Sequence, residues 1–252
     1  MTAIDPAYEA VRRDGVLRVA RPETEWLSTG WNGGRRTADR AYNVTVPDGW
    51  DRTDLEAYVD ERLERAGFAA GGPTLLTGVE QADARGARRG SVTAYATAGV
   101  SNPAALPMDP EDDSSPADPG GADGDAAPGR GTVNIVVGTT RALAPGALAN
   151  LIAVAAEAKA ATLLAETGVP GTTTDAVVVG HDPTGERAAF SGSGTDVGRA
   201  TRACVREAVG ASLRAHYADR DEDPPESAAD ATYGVSTDVR AEVFRPSLDE
   251  QS

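Results

Sequence analysis

One cysteine and one lysine in 252 residues are the scarcest features of this chain. A single thiol, Cys204, excludes an intrachain disulfide and any zinc site built on several cysteines. Only two histidines are present, His181 and His216, and no H-E-x-x-H spacing joins them, so no metal site is expected. A phosphate loop of the G-x-x-x-x-G-K-[ST] type and a G-x-S-x-G elbow are both missing. Gly192, Gly194 and Gly198 fall one residue off the dinucleotide pattern, with no strand just before them, and read as a helix entry. No apolar run approaches the ~18 residues that cross a bilayer. The first 15 residues form a polar lead-in without an apolar signal core, so the expected location is cytoplasmic. Net basic charge is lacking too: at −15, neither a nucleic acid nor an anionic membrane is an expected partner.

What is present is acid. Asp and Glu number 39 against 23 arginines and the one lysine. Such a surface fits a salt-loaded cytoplasm, where carboxylates hold water and their repulsion is screened, although codon bias toward Arg, Ala and Gly works in the same direction. Lysine is disfavoured in either case, so Lys159 carries information. It lies in PGALANLIAVAAEAKAATLLAET, residues 145–167, which predicts one helix: Pro145 suits the first position, Ala and Leu fill it, and Gly168 and Pro170 end it. At about 100° per residue, Leu148, Ile152, Ala155, Lys159 and Leu163 share a side, and Glu157 lies roughly 200° away from Lys159. An ammonium in an apolar stripe must reach solvent, a partner or a ligand.

Along the chain, strands are expected at 16–20, 26–28, 41–47, 74–79, 91–100, 131–139 and 172–181, with a charged hairpin turn between the fourth and fifth. Helices are expected over 51–66, 145–167 and 195–217, the last capped by Thr195 or Ser193. This order predicts a single α/β domain over 16–218, a mixed β-sheet packed by about three helices. The Pro/Gly-rich acidic stretch within 104–130 reads as a disordered insertion, and 219–252 as an acidic linker and extension with a terminal strand near 231–244.

Polar residues beside apolar strands supply the candidate chemistry. Asn134 interrupts GTVNIVV, Thr173, Thr174 and Asp175 precede AVVV, Ser101 and Asn102 follow a strand, and Asn43 lies downstream of the glycine-rich loop with Trp31, Asn32, Gly33 and Gly34. With Lys159 and Glu157 these match the needs of amide hydrolysis: a carboxylate to activate water, amides to hold an oxyanion, an ammonium to stabilise charge or protonate the leaving amine. Asp175 or Glu157 serves as the base in this reading, and Asn134, Asn32 and Asn102 polarise the amide. Thr132 or Thr173 is an alternative nucleophile. Cys204 reads as a small core residue, His216 as structural near a helix end, and His181-Asp182 as a solvated loop pair.

LSTGWNGG with Asn43 downstream, TAGVSN, GTVNIVV, ALAN…EAKA and GTTTDAVVV, in this order over residues 15–215, resemble the adenosylcobinamide amidohydrolases. The resemblance implies hydrolysis of the amide that joins a corrin propionyl arm to aminopropanol or its phosphate. The implied products are adenosylcobyric acid and the amino alcohol, in corrinoid salvage. It implies a substrate that brings its own cobalt, so no cofactor or metal is expected of the protein. Trp26, Trp31 and Trp50 then read either as stacking surfaces for the corrinoid or as half-buried anchors. A non-catalytic corrinoid-binding module is the alternative, and the oligomeric state is left open.

Overall fold

In a computed structural model the described residues are 7–47, 52–110, 131–218, 220, 224–225, 227–231 and 233–246. In chain order they form β1 (Glu9–Arg13), β2 (Val16–Ser28), β3 (Gly34–Thr45), α1 (Leu55–Arg65), β4 (Thr74–Thr77), β5 (Arg85–Arg89), β6 (Val92–Ala98), β7 (Ala104–Ala105), β8 (Val133–Leu143), α2 (Pro145–Thr167), β9 (Ala176–Ala188), α3 (Asp196–Tyr217) and β10 (Val235–Ser236). One large sheet runs β4-β3-β2-β9-β8-β6-β5, with β1 also paired to β2. Pairs β3/β4 and β8/β9 are parallel and the others antiparallel, so the expected mixed α/β sheet with three helices is what the chain adopts.

Two strand pairs that lie far apart in the sheet order meet through side chains. Asn134 Nδ2 on β8 donates to Asn43 Oδ1 on β3 (2.9 Å), and Asn43 Nδ2 donates to Thr97 Oγ1 on β6 (2.9 Å). The sheet is therefore strongly curled, as the accumulated right-handed twist of many strands favours. β2 turns the corner through a register shift between Ala20 and Thr24, where Glu23 takes φ 52°.

Alternation along β8 and β9 assigns two faces. Val133, Ile135, Val137, Val177 and Val179 face α2 and α3, packing with Leu148, Leu151, Leu163, Val205 and Val209. Val136 and Val178 face the hollow of the curl with Tyr8, Leu17, Val19, Trp26 and Leu75. Two glycines make the hollow wide enough for its aromatics. A Cβ on Gly138 would lie 2.5 Å from the Tyr8 ring, and one on Gly180 2.4 Å from Trp26. Trp26 is fully buried, stacks edge-on against Tyr8 at 5.7 Å and donates its indole N–H to Ala38 O (2.9 Å). It is an anchor of the core and no stacking surface for a ligand. Trp50 lies outside the described residues.

Helix α2 has the expected bounds, and Gly168 closes it at φ 75°. By length and composition alone it is long and apolar enough to cross a membrane, contrary to the sequence reading. In the fold it packs on β8, β9 and α3 and buries Leu148, Leu151, Val154, Ala155 and Leu163. Thr195 caps α3, accepting from Gly198 N (3.0 Å).

Several strands depart from the sequence expectation. Residues 9–13, within the expected lead-in, are a strand whose pairing is all backbone, with mostly exposed side chains. The two short strands at 16–20 and 26–28 are one long β2. Strand 74–79 does not hairpin with 91–100; β6 pairs instead with the arginine-rich β5, taken for a turn. β9 continues through 182–188, taken for a loop, because Arg141–Leu143 extends β8 beside it. The expected insertion begins in order: Ala104 and Ala105 form β7, while residues 111–130 lie outside the described residues. Of the expected terminal strand only Val235–Ser236 forms, parallel to β7.

Candidate functional site

The parallel pair β8/β9 begins from two polar approaches, 131–132 and 171–175, and these face the β2–β3 turn and the end of β4. Between them lies a cleft of about 260 Å³ lined by Thr29, Gly30, Trp31, Leu76, Thr132, Thr174 and Asp175, among others. The cleft therefore lies at the amino ends of β8 and β9.

Lys159 projects from α2 onto the far side of this loop, where its Nζ donates to Asp175 Oδ2. Both side chains are nearly buried, at 13% and 10% exposure. Asp175 collects three more donors: Val133 N on Oδ1 (2.9 Å), Thr172 Oγ1 on Oδ1 (2.5 Å) and Thr172 N on Oδ2 (3.0 Å). Four donors fill the roughly four lone-pair sites of the Asp175 carboxyl group, which thereby clamps the loop. Gly171 exists for this clamp. A Cβ there would stand 2.6 Å from Asp175 Oδ2 and 2.8 Å from Lys159 Nζ. Gly171→Ala is expected to push the pair apart and to cost about 1–3 kcal/mol of stability, measured as a lowered urea midpoint.

On the cleft side, Thr132 Oγ1 and Thr174 Oγ1 are 2.5 Å apart in a hydrogen bond, and Thr132 Oγ1 also donates to Thr174 O (3.2 Å). Asn102 Nδ2 donates to Thr173 Oγ1 (2.7 Å) and to Thr174 Oγ1 (3.4 Å). Asn102 is buried, and its Oδ1 is without a hydrogen-bond partner among the described residues.

Lys159, Asp175, Thr132, Thr173, Thr174 and Asn102 thus come together. Asn134 and Asn43 belong to the adjoining network of the hollow, where Asn134 Nδ2 also donates to Leu76 O (2.8 Å) in the cleft wall. Trp31 lines the cleft. Asn32 and Gly33 lie in the exposed β2–β3 turn, with Asn32 at φ 50°, and Gly34, also exposed, opens β3. Ser101 is exposed and packs at Gly131, where a Cβ would lie 2.3 Å from Ser101 N. Glu157 is not brought to this group: it turns to α3 and pairs with Arg202 at 3.2 Å on the exposed side of the helices. Thr29, Gly30, Thr172 and Gly171 are site-forming residues that sequence reasoning left out or left unassigned. The only hint of them is the run of Thr and Gly at strand ends.

The titratable groups considered as rivals are occupied elsewhere. His181 is buried within β9 and accepts from Leu143 N at Nδ1 (3.0 Å), so the expected solvated loop pair is a core contact. His216 meets Asp83 Oδ2 (2.9 Å), and burial pulls its imidazole below the usual range. Burial pushes the Cys204 thiol up to about 11, the state of an inert core residue. Among the described residues no group of three or more His, Cys, Asp or Glu is placed to hold a metal ion.

The family model described as adenosylcobinamide amidohydrolase matches residues 2–221. The adenosylcobinamide amidohydrolase of Halobacterium salinarum is 58% identical over 241 residues, spanning 95% of this chain and 100% of the relative. That of Methanosarcina mazei is 28% identical over 206 residues, spanning 77% and 92%. Among solved structures, the PH0078 protein from Pyrococcus horikoshii OT3 overlaps 88% of this chain and 82% of its own at 14% identity and a TM-score of 0.40. By the extent of the family match and the identity to the Halobacterium relative, this chain belongs to the adenosylcobinamide amidohydrolase family.

Proposed function

We propose that the cleft cuts the amide between the corrin propionyl arm and aminopropanol of adenosylcobinamide, with the Thr132–Thr174 hydroxyl pair at the reacting carbonyl. One observation carries this reading: two hydroxyls in hydrogen-bond contact on the cleft floor, fixed from behind by the Lys159–Asp175 clamp. The clamp spends the carboxylate on four donors, which disfavours Asp175 as the base for a free water. One hydroxyl oxygen of the pair forms a bond to the carbonyl carbon. Its proton passes to the partner hydroxyl, whose own proton goes to the departing nitrogen as the C–N bond breaks. Free aminopropanol and an ester on threonine result. Water then attacks that ester, returns a proton to the threonine and releases adenosylcobyric acid. Asn102 Nδ2, already directed at Thr174, supports charge that builds on the pair.

Lys159 is in this scheme a positioning residue acting through Asp175, and Asn134 and Asn43 hold the Leu76 wall. The protein uses no cofactor of its own; the cobalt arrives with the substrate. The enzyme works in a salt-loaded cytoplasm, a reading supported by its 39 acidic residues, its single lysine and its Halobacterium relative. Incubation with adenosylcobinamide at high salt, followed by mass spectrometry, is expected to yield adenosylcobyric acid and aminopropanol. A shift of the corrinoid's visible bands with no amine released would overturn hydrolysis in favour of a binding module.

A further inference from the structure

The cleft is small for its substrate. Pockets that bury a drug-sized ligand hold about 300–1,000 Å³, and a corrinoid with its adenosyl ligand is larger than such a ligand. At about 260 Å³ the cleft admits the amide-bearing arm and leaves the ring outside. The ring must then lie against the rim.

A backbone ladder runs outward from the loop that carries the site. Asn102 holds Thr173 and Thr174; Pro103 bridges Thr172, and Ala104 N donates to Gly171 O (2.9 Å). β10 is laid along this same segment: Val235 N donates to Pro103 O (2.9 Å) and Thr237 N to Ala105 O (3.0 Å). Arg240 then donates to Pro110 O (2.9 Å), which brings 239–240 beside 108–110. Leu106, Met108 and Val239 on this ribbon are 58%, 81% and 77% exposed, in a chain otherwise rich in surface carboxylates. Leu106 is four residues from Asn102, at most about 14 Å of extended chain. Apolar side chains gathered on one exposed segment mark a contact surface, and methionine adapts to an irregular partner.

We propose that the β7–β10 ribbon is the seat of the substrate's ring, with Leu106, Met108 and Val239 against the methyl groups that its edge carries between the amide arms. This inference rests on the corrinoid reading of the cleft. It makes residues beyond the family match, which ends at 221, part of substrate recognition.

The test uses the full chain carrying Leu106→Ser, Met108→Ser and Val239→Ser together, all on exposed side chains that leave the core intact. Adenosylcobinamide binding is read by visible absorption, and kcat and KM by product release. Kd and KM are expected to rise about tenfold, with a much smaller change in kcat. Val235→Pro, which removes the N–H that docks β10 on Pro103, is expected to move Kd in the same direction. Unchanged Kd and KM in the triple variant overturn the proposal. So does a drop in molar mass by light scattering without a change in Kd, which assigns the patch to contact between copies. A wild-type protein that binds the corrinoid without cutting it refutes the reading of the cleft, while the effect on Kd still decides the ribbon.

Discussion

Lys159→Ala is expected to lower the unfolding free energy by about 3–5 kcal/mol and to abolish measurable turnover. The size follows from what remains. Asp175, 10% exposed, keeps its backbone and Thr172 donors but loses the one cation paired with it among the described residues. With the clamp gone, residues 172–175 lose their fixed position, and a displacement of about 1 Å at reacting atoms costs on the order of a hundredfold in rate. Lys159→Met separates position from bulk, since it keeps the stem against the helix and removes only the ammonium. It is expected to lower kcat by about a hundredfold, with KM little changed because the arm still enters the same cleft. If Lys159→Met is as stable and as active as the native chain, the lysine is only a filler of the apolar stripe. Pairing Lys159→Met with Asp175→Asn is expected to recover stability relative to Lys159→Met alone, because no unpaired charge then stays buried.

How much of this was legible in the sequence divides along local and long-range physics. α2 was readable to its ends, since Pro145, the Ala/Leu run and Gly168 are all local signals. α3 was equally plain from Thr195 and its apolar spacing. β1 and the outer half of β9 were not, because exposed strands are held by backbone pairing and their polar side chains carry no period-2 signal. The burial of Trp26 depends on Gly180, and that of Tyr8 on Gly138, each glycine more than a hundred residues away and vacating the space the ring fills.

The site shows the same division. Helical rotation places Lys159 among apolar neighbours and separates it from Glu157, and the structure has Glu157 on Arg202 instead. Which carboxylate answers the lysine required the β8-α2-β9 crossover, which returns the chain beneath the helix. That Thr132 touches Thr174 follows from the parallel register of Asn134 beside Ala176, two residues on from each threonine. Neither threonine stands out by itself in a chain that places Thr at many strand ends.

Removing the hydroxyls carries the other large effect. Valine matches threonine in shape, so Thr132→Val and Thr174→Val leave the packing of β8 and β9 in place while deleting the reacting oxygens. Each is expected to reduce kcat by at least about a thousandfold, and the double variant by no more than the worse single one, as groups acting as a unit do. The variant that lacks the nucleophile forms no ester, and acid quenching during turnover assigns it: peptide mapping of the native enzyme is expected to place a cobyric acyl mass on one of the two residues.

The most direct measurement is a single turnover of adenosylcobinamide at high salt, followed by mass spectrometry of the products, with the native chain and the folded Thr132→Val/Thr174→Val variant side by side. The native chain is expected to release adenosylcobyric acid and aminopropanol, and the variant neither. Product formed by the variant at close to the native rate would contradict the placement of the chemistry in this cleft.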